Sequence, residues 1–206
     1  CNIPFAQLGI ELGQNAIREQ AEKFGFGKTV EIPLRSTASV YPKNMDDAQT
    51  AMSAFGQFDV RVTPLQIAMM SAAIANNGKI MKPNLIENVM PANLSSLFAP
   101  APQEYASPIS ANTAAAVRQM MIDAVERGVS SNARIDGVTV AGKTGTAQNG
   151  EDDPYTLWFT GFAPAENPKV VVAVVIEDGG GRGQNGRGNT LAAPVAKKVI
   201  QAVLRK

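Results

Sequence analysis

The 206-residue chain contains no histidine. A Ser-His-Asp triad, a Cys-His dyad, an H-E-x-x-H zinc site and any imidazole general base are therefore excluded from these residues. There is one cysteine, Cys1, so neither an internal disulfide nor a cysteine-rich metal cluster can form. Proton transfer must fall to Lys, Glu, Asp, Tyr or water. A dominant charge sign is lacking too. The 19 basic and 18 acidic side chains leave a formal net charge of +1, so no global field draws the chain to nucleic acid or an anionic membrane. No stretch reaches the roughly 18 apolar residues of a membrane span. Neither a starting Met nor a signal peptide is visible. What remains is an ordinary globular balance, 45% apolar and 18% charged. The length suits one domain or the larger part of one, with a substantial core.

The chain opens at Cys1-Asn2-Ile3-Pro4-Phe5. A lipid-anchored cysteine would be followed by a polar tether, whereas this sequence turns apolar at once. The expectation is a chain without its N-terminal part, with Cys1 a packed or surface residue.

Residues 3–25 read as two helical patches interrupted near Gly13, with Ile17, Ala21 and Phe24 on one face. Residues 28–60 show no sustained period and read as a long irregular connection. Thr63-Pro64-Leu65-Gln66 predicts a helix start, with Thr63 as cap, Pro64 in the first turn and Gln66 closing a capping box. Ile67, Met70, Ser71 and Ile74 continue that helix, and Gly78 stops it. Residues 82–110, with Pro83, Pro91, Pro100 and Pro102, read as loop with short strands. A helix follows Ser110 and runs through Val117, Met121 and Val125 to Gly128. The period then changes. Strands are expected at Val138–Ala141, at Leu157–Phe162 and along the Val170–Ile176 run, which suits a central strand covered on both faces. The short link Ala163–Pro168 makes the last two an antiparallel hairpin. A glycine-rich loop over 179–190 and a helix from Pro194 to Leu204 close the chain. Helices, then antiparallel strands, then a helix is α+β order. Trp158 and the methionines Met69, Met70, Met120 and Met121 are expected in packing roles. Glu151, Asp152 and Asp153 look like a solvated turn, and Arg182 and Arg187 like part of a mobile loop beside the site rather than an RNA contact.

Residues 137–144, Gly-Val-Thr-Val-Ala-Gly-Lys-Thr, satisfy the phosphate-loop pattern G-x-x-x-x-G-K-[ST] at every fixed position. A phosphate loop needs inward-turned amides followed by a helix. Here Val138, Thr139 and Val140 are β-branched and favour extended backbone, and Gly145 to Pro154 is no helix. The alternative keeps Val138 to Gln148 extended, with Lys143, Gly145 and Ala147 on one face and Thr144 and Thr146 on the other. A lysine, two hydroxyls and a glycine on an edge strand could take an extended peptide ending in a carboxylate. An ordinary edge strand protected by a lysine explains the same residues.

Lys143-Thr144-Gly145-Thr146, after Val140-Ala141-Gly142, resembles the K-T-G-T strand of penicillin-binding proteins. Val62-Thr63-Pro64-Leu65-Gln66-Ile67-Ala68 is similar to the helix start of class B transpeptidases, and Ala75-Asn76-Asn77-Gly78 to that helix's end. Trp158 to Pro164 and Ala193-Pro194-Val195 resemble their next strand and last helix. Cys1-Asn2 looks like the tail of a Ser-Cys-Asn motif. These motifs, in order, cover nearly the whole chain and are most similar to actinobacterial class B enzymes of the penicillin-binding protein A type. One departure stands out: no Ser-x-x-Lys occurs in the 206 residues.

The resemblance implies a β-lactamase-like α+β domain of which residues 1–206 are the C-terminal part, without the N-terminal strands and the nucleophile helix. It implies a serine D,D-transpeptidase acting on peptidoglycan stem peptides and inhibited by β-lactams, with the fragment inactive alone. Lys143 and Thr146 would be catalytic, Lys143 by its charge and the Thr146 amide in the oxyanion hole. Asn2, Lys143, Thr144, Gly145 and Thr146 would bind substrate. No cofactor, metal or nucleic acid is implied. Stem peptides, β-lactam antibiotics, the rest of the domain, and cell-division or elongation proteins are the partners implied. An extracytoplasmic location, anchored to the membrane by a segment outside this chain, also follows from the resemblance. A non-catalytic cell-wall peptide binder and a nucleotide-binding protein are the alternatives.

Overall fold

A computed structural model describes residues 1–34, 36–89 and 99–205. Helix α1 spans Asn2–Lys23 and breaks at Gly13, whose φ of 76° and ψ of 155° lie outside the helical region, so the two patches expected from the sequence are two helical halves. Residues 28–60 are not wholly irregular, because they hold helix α2, Asp47–Ser53. The signal was a capping box. The Gln49 amide donates to Asp46 Oδ1 at 2.8 Å, and the Asp46 amide to Gln49 Oε1 at 3.1 Å. Two turns are too short to show a period.

Helix α3, Pro64–Ala75, starts as expected, with the Gln66 amide donating to Thr63 Oγ1 at 3.1 Å. The reciprocal half of the capping box is absent. Gln66 is buried and its Nε2 donates to the Phe24 carbonyl at 2.8 Å, tying α3 to the end of α1. Thr63 instead finds Ser39 Oγ for its own amide. Short antiparallel strands β1 (Ile80–Met81) and β2 (Glu104–Ala106) follow, and the loop expected around Pro91 lies outside the described residues. Helix α4, Ala111–Glu126, is capped by Ser110.

Strands β3 (Ala141–Ala147), β4 (Thr156–Ala163) and β5 (Val170–Ile176) form an antiparallel sheet in that order. The hairpin of β4 and β5 is as expected. Strand β3 begins at Ala141 rather than Val138, because Val138 closes a turn onto the Ile135 carbonyl and the Thr139 carbonyl takes the Ala165 amide. Val138 thus pairs back with Ile135 and Thr139 with the turn beyond β4, neither with β4 itself. The Val170–Ile176 run is an edge strand among the described residues, and β4 is central. Its two faces are nevertheless both packed: Val172 against the last helix, Val171 against α3 and α4. After 3-10 turns at Asp178–Gly181 and Gly183–Asn185, helix α5 runs from Gly188 to Leu204. It starts six residues before Pro194, which sits inside the helix.

The layers are α5, the sheet, and α3 with α4. Ala192, Ala193, Ala196 and Ile200 of α5 meet Phe159 and Ala163, all fully buried. Phe162 and Ala141 face Met121 of α4 and Ile74 of α3. Met69 and Met121 are buried as expected, whereas Met120 is 67% exposed because it lies on the outer side of α4.

An apolar strand with one open edge is a template for pairing with another chain. The isolated 206-residue chain should self-associate as its concentration rises, seen by light scattering; a monodisperse, cooperatively melting solution would count against this. A second expectation concerns Gly188. A Cβ there would lie 2.4 Å from the Trp158 carbonyl oxygen and 2.6 Å from that of Gly145, both backbone atoms. Gly188→Ala should destabilise by about 1–3 kcal/mol, a fall in Tm of roughly 2–12 °C, although alanine is the better helix former.

Candidate active site

Strand β3 occupies the free edge of the sheet beyond β4. Its register with β4 places Lys143 opposite Thr160, Thr144 opposite Phe159, Gly145 opposite Trp158 and Thr146 opposite Leu157. Side chains alternate, so Lys143 lies on the α3 face with Thr160, while Thr144 and Thr146 lie on the α5 face with buried Phe159 and Leu157. The alternation expected from the sequence is therefore present, with no bulge at Gly145.

The outward amide of Thr144 donates to Ser130 Oγ at 3.2 Å. In an antiparallel ladder, backbone groups point alternately toward and away from the partner strand. The Thr146 amide, two residues on, therefore points the same way as that of Thr144, away from β4. No described acceptor takes it. The Thr144 carbonyl accepts a hydrogen bond from Lys143 Nζ. Thr144 thus has both outward groups engaged, and Thr146 presents an open amide.

The edge borders a cleft of about 520 Å³. Lys143 to Ala147, with Thr156, Trp158 and Thr160, form one wall; Ile67 and Met70 of α3 form its floor, and the Phe55–Val62 loop with Phe26 faces them. Trp158, expected in the core, is half-buried and lines this cleft, because its side chain projects on the α3 face beside Gly145. Among the described residues, the charged ones of the lining are Lys143 and Arg61, and no carboxylate borders it. Arg61 pairs at 2.8 Å with exposed Asp59. Lys143 has no ion pair among the described residues. Although the residue keeps solvent contact, partial desolvation of the ammonium lowers its pKa below the usual lysine range. The arrangement offers an anion a cation and a free amide on one strand edge. A cleft of similar size at Glu31–Pro33 and Lys82–Asn84 offers only an ion pair, Lys82–Glu31 at 3.6 Å, that neutralises itself.

Lys143, Thr144, Gly145 and Thr146 therefore line one cleft. Asn2 does not join them: it stands exposed in the first turn of α1, outside the cleft lining. The phosphate-loop match lies in a turn and a strand, with no helix after Thr144. Arg187 is engaged in the loop, donating to the Gln184 and Gly186 carbonyls at 2.7 Å, with its guanidinium 5.9 Å from the Tyr155 ring centroid. Ser130 and the Phe55–Val62 wall were not singled out by the sequence. Ser130 acts across 14 residues and two turns, which no local pattern encodes.

Residues 1–201 match the family described as penicillin binding protein transpeptidase domain. The chain is 38% identical over 210 residues to the peptidoglycan D,D-transpeptidase PbpA of Mycolicibacterium smegmatis, a match covering 100% of this chain and 42% of that protein. It is 33% identical to stage V sporulation protein D of Bacillus subtilis, over 98% of this chain and 32% of that protein. The structure of penicillin-binding protein A from M. tuberculosis as a ceftriaxone acyl-enzyme complex superposes with a TM-score of 0.93 at 37% identity, covering 99% of this chain and 46% of that one. The D,D-transpeptidase domain of a peptidoglycan glycosyltransferase from Eggerthella lenta gives 0.88 at 34% identity, over 99% and 51%. The chain spans less than half the length of these curated relatives.

Binding of a peptide carboxylate should weaken as pH rises through the Lys143 pKa, below the roughly 10.4 of a free lysine. Lys143→Arg should move that loss to higher pH; an unchanged profile would remove Lys143 from the site. The stability effect has the opposite sense. A lowered folded-state pKa means that the unfolded chain holds this proton more tightly, so stability from this group rises between the folded pKa and about 10.4.

Proposed function

Because the chain belongs to the penicillin-binding protein transpeptidase domain family, we propose that it forms the substrate-binding edge of a peptidoglycan D,D-transpeptidase that passes through a serine acyl-enzyme. The observation that carries this reading is the open Thr146 amide beside unpaired Lys143 in a cleft with no carboxylate in its lining. A relative of the same fold holds ceftriaxone as an acyl-enzyme.

In the reaction proposed, a serine hydroxyl attacks the carbonyl of the D-Ala-D-Ala amide. The oxygen that becomes negative is held by the Thr146 N–H and by the serine's own N–H. One such donor is worth about 3 kcal/mol. The terminal D-alanine leaves as its nitrogen takes a proton, and the ester carries the donor stem. An amine of a neighbouring stem then attacks the ester and releases the serine, leaving a cross-link. Lys143 supplies positive potential for the terminal carboxylate from the α3 face of the strand, and the Thr144 and Thr146 hydroxyls would reach it from the α5 face around the strand's edge. A β-lactam enters as a donor mimic and stays as the ester.

The 206 residues hold no Ser-x-x-Lys, so the serine is supplied from outside them. We therefore take residues 1–206 as the C-terminal part of the domain. The 42% share of the PbpA relative supports this, as do Ile3, Phe5, Leu8, Ile10 and Leu12 of α1, all 47–68% exposed as a surface for more polypeptide to cover. The substrate lies outside the cytoplasm, and the reading includes a membrane anchor elsewhere in the protein. No described helix is long and apolar enough to cross a membrane.

Intact-mass analysis after incubation with a β-lactam tests this on two polypeptides: this chain, and one extended to include the serine. Only the extended one should gain the drug's mass. If neither does, a non-catalytic peptide binder is favoured. If the short chain does, its nucleophile lies within these residues.

A further inference from the structure

An extended ligand on the edge of β3 can slip. A one-residue slip turns every ligand side chain to the opposite face, which the cleft itself rejects. A two-residue slip keeps the faces and moves the ligand by about 6.7 Å. The competing position is therefore Thr144, two residues before the open Thr146 amide. There the backbone is already engaged on both outward groups, the N–H by Ser130 Oγ at 3.2 Å and the C=O by Lys143 Nζ.

Ser130 is built for a fixed position. It is fully buried between α4 and β3. Its own amide donates to the Ala124 carbonyl at 2.9 Å, and its carbonyl accepts from the Ala133 amide at 3.0 Å. The next turn is clasped to α5, with the Asn132 amide donating to Asn189 Oδ1 at 3.0 Å and Asn132 Nδ2 to the Asn189 carbonyl at 3.0 Å. The hydroxyl thus meets the Thr144 amide from a backbone tied at both ends.

We propose that Ser130 is a positioning residue that sets the register of the donor peptide, by closing the Thr144 amide so that the scissile carbonyl pairs only with the Thr146 amide. This rests on the transpeptidase reading above. Ser130 touches no reacting atom. It removes the one alternative register that would hold the ligand by the same backbone pattern while placing its carbonyl a dipeptide away from the serine.

The test uses the extended polypeptide that contains the serine. Amide hydrogen exchange is read at Thr144 and Thr146, with and without N-acetyl-D-alanyl-D-alanine. In the wild type, Thr144 should exchange at least about tenfold more slowly than Thr146, and the ligand should slow Thr146 alone. In Ser130→Ala the ligand should slow both amides. With a D-Ala-D-Ala substrate, kcat and KM should fall together by about tenfold with kcat/KM nearly unchanged, as unproductive binding requires; a loosened fold would raise KM instead. Ser130→Thr keeps the hydroxyl and should restore the wild-type register. Asn132→Ala breaks the neighbouring clasp and should lower Tm without the joint fall in kcat and KM.

Ligand protection confined to Thr146 in Ser130→Ala overturns the proposal, as does the same kinetic change in Asn132→Ala. If Ser130→Ala does not fold, wild-type exchange decides: equal rates at Thr144 and Thr146 overturn it. A wild type that neither gains β-lactam mass nor protects Thr146 defeats the transpeptidase reading and this proposal together. A wild type that does both, with Ser130→Ala unchanged, defeats this proposal alone.

Discussion

The pairing of β3 with β4 decides what the site can do. Seven consecutive rungs, Ala141↔Phe162 to Ala147↔Thr156, run without a bulge. That register settles two alternations at once. It sends the amides of Thr144 and Thr146 away from β4, and it sends the Lys143 side chain to the α3 face and both threonines to the α5 face. A shift of one residue would exchange both sets and leave no cation beside an open amide. The register is held by two phenylalanines on opposite faces, Phe159 and Phe162, both fully buried. Each has only one core to enter, so slippage would place an aromatic ring in the cleft or at the surface.

Close approach between layers then brings the site together. A Cβ on Gly142 would lie 2.5 Å from Phe159 Cζ, so the ring lies across the strand just before Lys143. Gly188 lets the start of α5 rest on the Gly145–Trp158 rung, and Ala192, Ala193 and Ala196 continue the contact. On the other face, the Thr160 hydroxyl donates to the Val172 carbonyl at 3.1 Å and accepts from Ser71 at 2.6 Å. That chain of hydroxyls joins α3 to β4 and β5 through Thr160, the cross-strand partner of Lys143. A buried polar chain of this kind holds one packing of helix on sheet, since any shift leaves its members unpaired.

Much of this was legible in the chain because the signals are local. Ser110 and Thr63 act as caps where the sequence puts them, and the apolar runs at 157–162 and 170–176 are strands joined by a short turn. The misses share a different cause. Gln66 completes a capping box on paper but spends its amide on Phe24, 42 residues away. Pro194 reads as a helix start, yet α5 begins at Gly188 because the edge of the sheet receives its first turn. Val138 and Thr139 have strand chemistry but lie beyond the end of β4, so they pair elsewhere. Lys143 to Thr146 could be read as a site because four adjacent residues carry it. The cap on the Thr144 amide could not, since Ser130 meets it only after α4, a 3-10 turn and the Gly137 turn have been folded.

Electrostatics connects the cation to the register. Lys143 is partly desolvated, and no described carboxylate stabilises it. Partial desolvation disfavours the charged form, so under the proposed reading a ligand carboxylate would offset that cost as well as attract the ammonium directly. Meanwhile Nζ rests on the Thr144 carbonyl. Were the ammonium to turn to a ligand carboxylate, as the proposed reading requires, that carbonyl would be released and the edge at Thr144 would become half open. A neutral strand could then begin to pair there. The Thr144 amide remains on the Ser130 hydroxyl, however, and an antiparallel rung needs both groups. In the proposed reading the cation can serve the ligand because a second, uncharged group, the Ser130 hydroxyl, keeps the neighbouring rung closed.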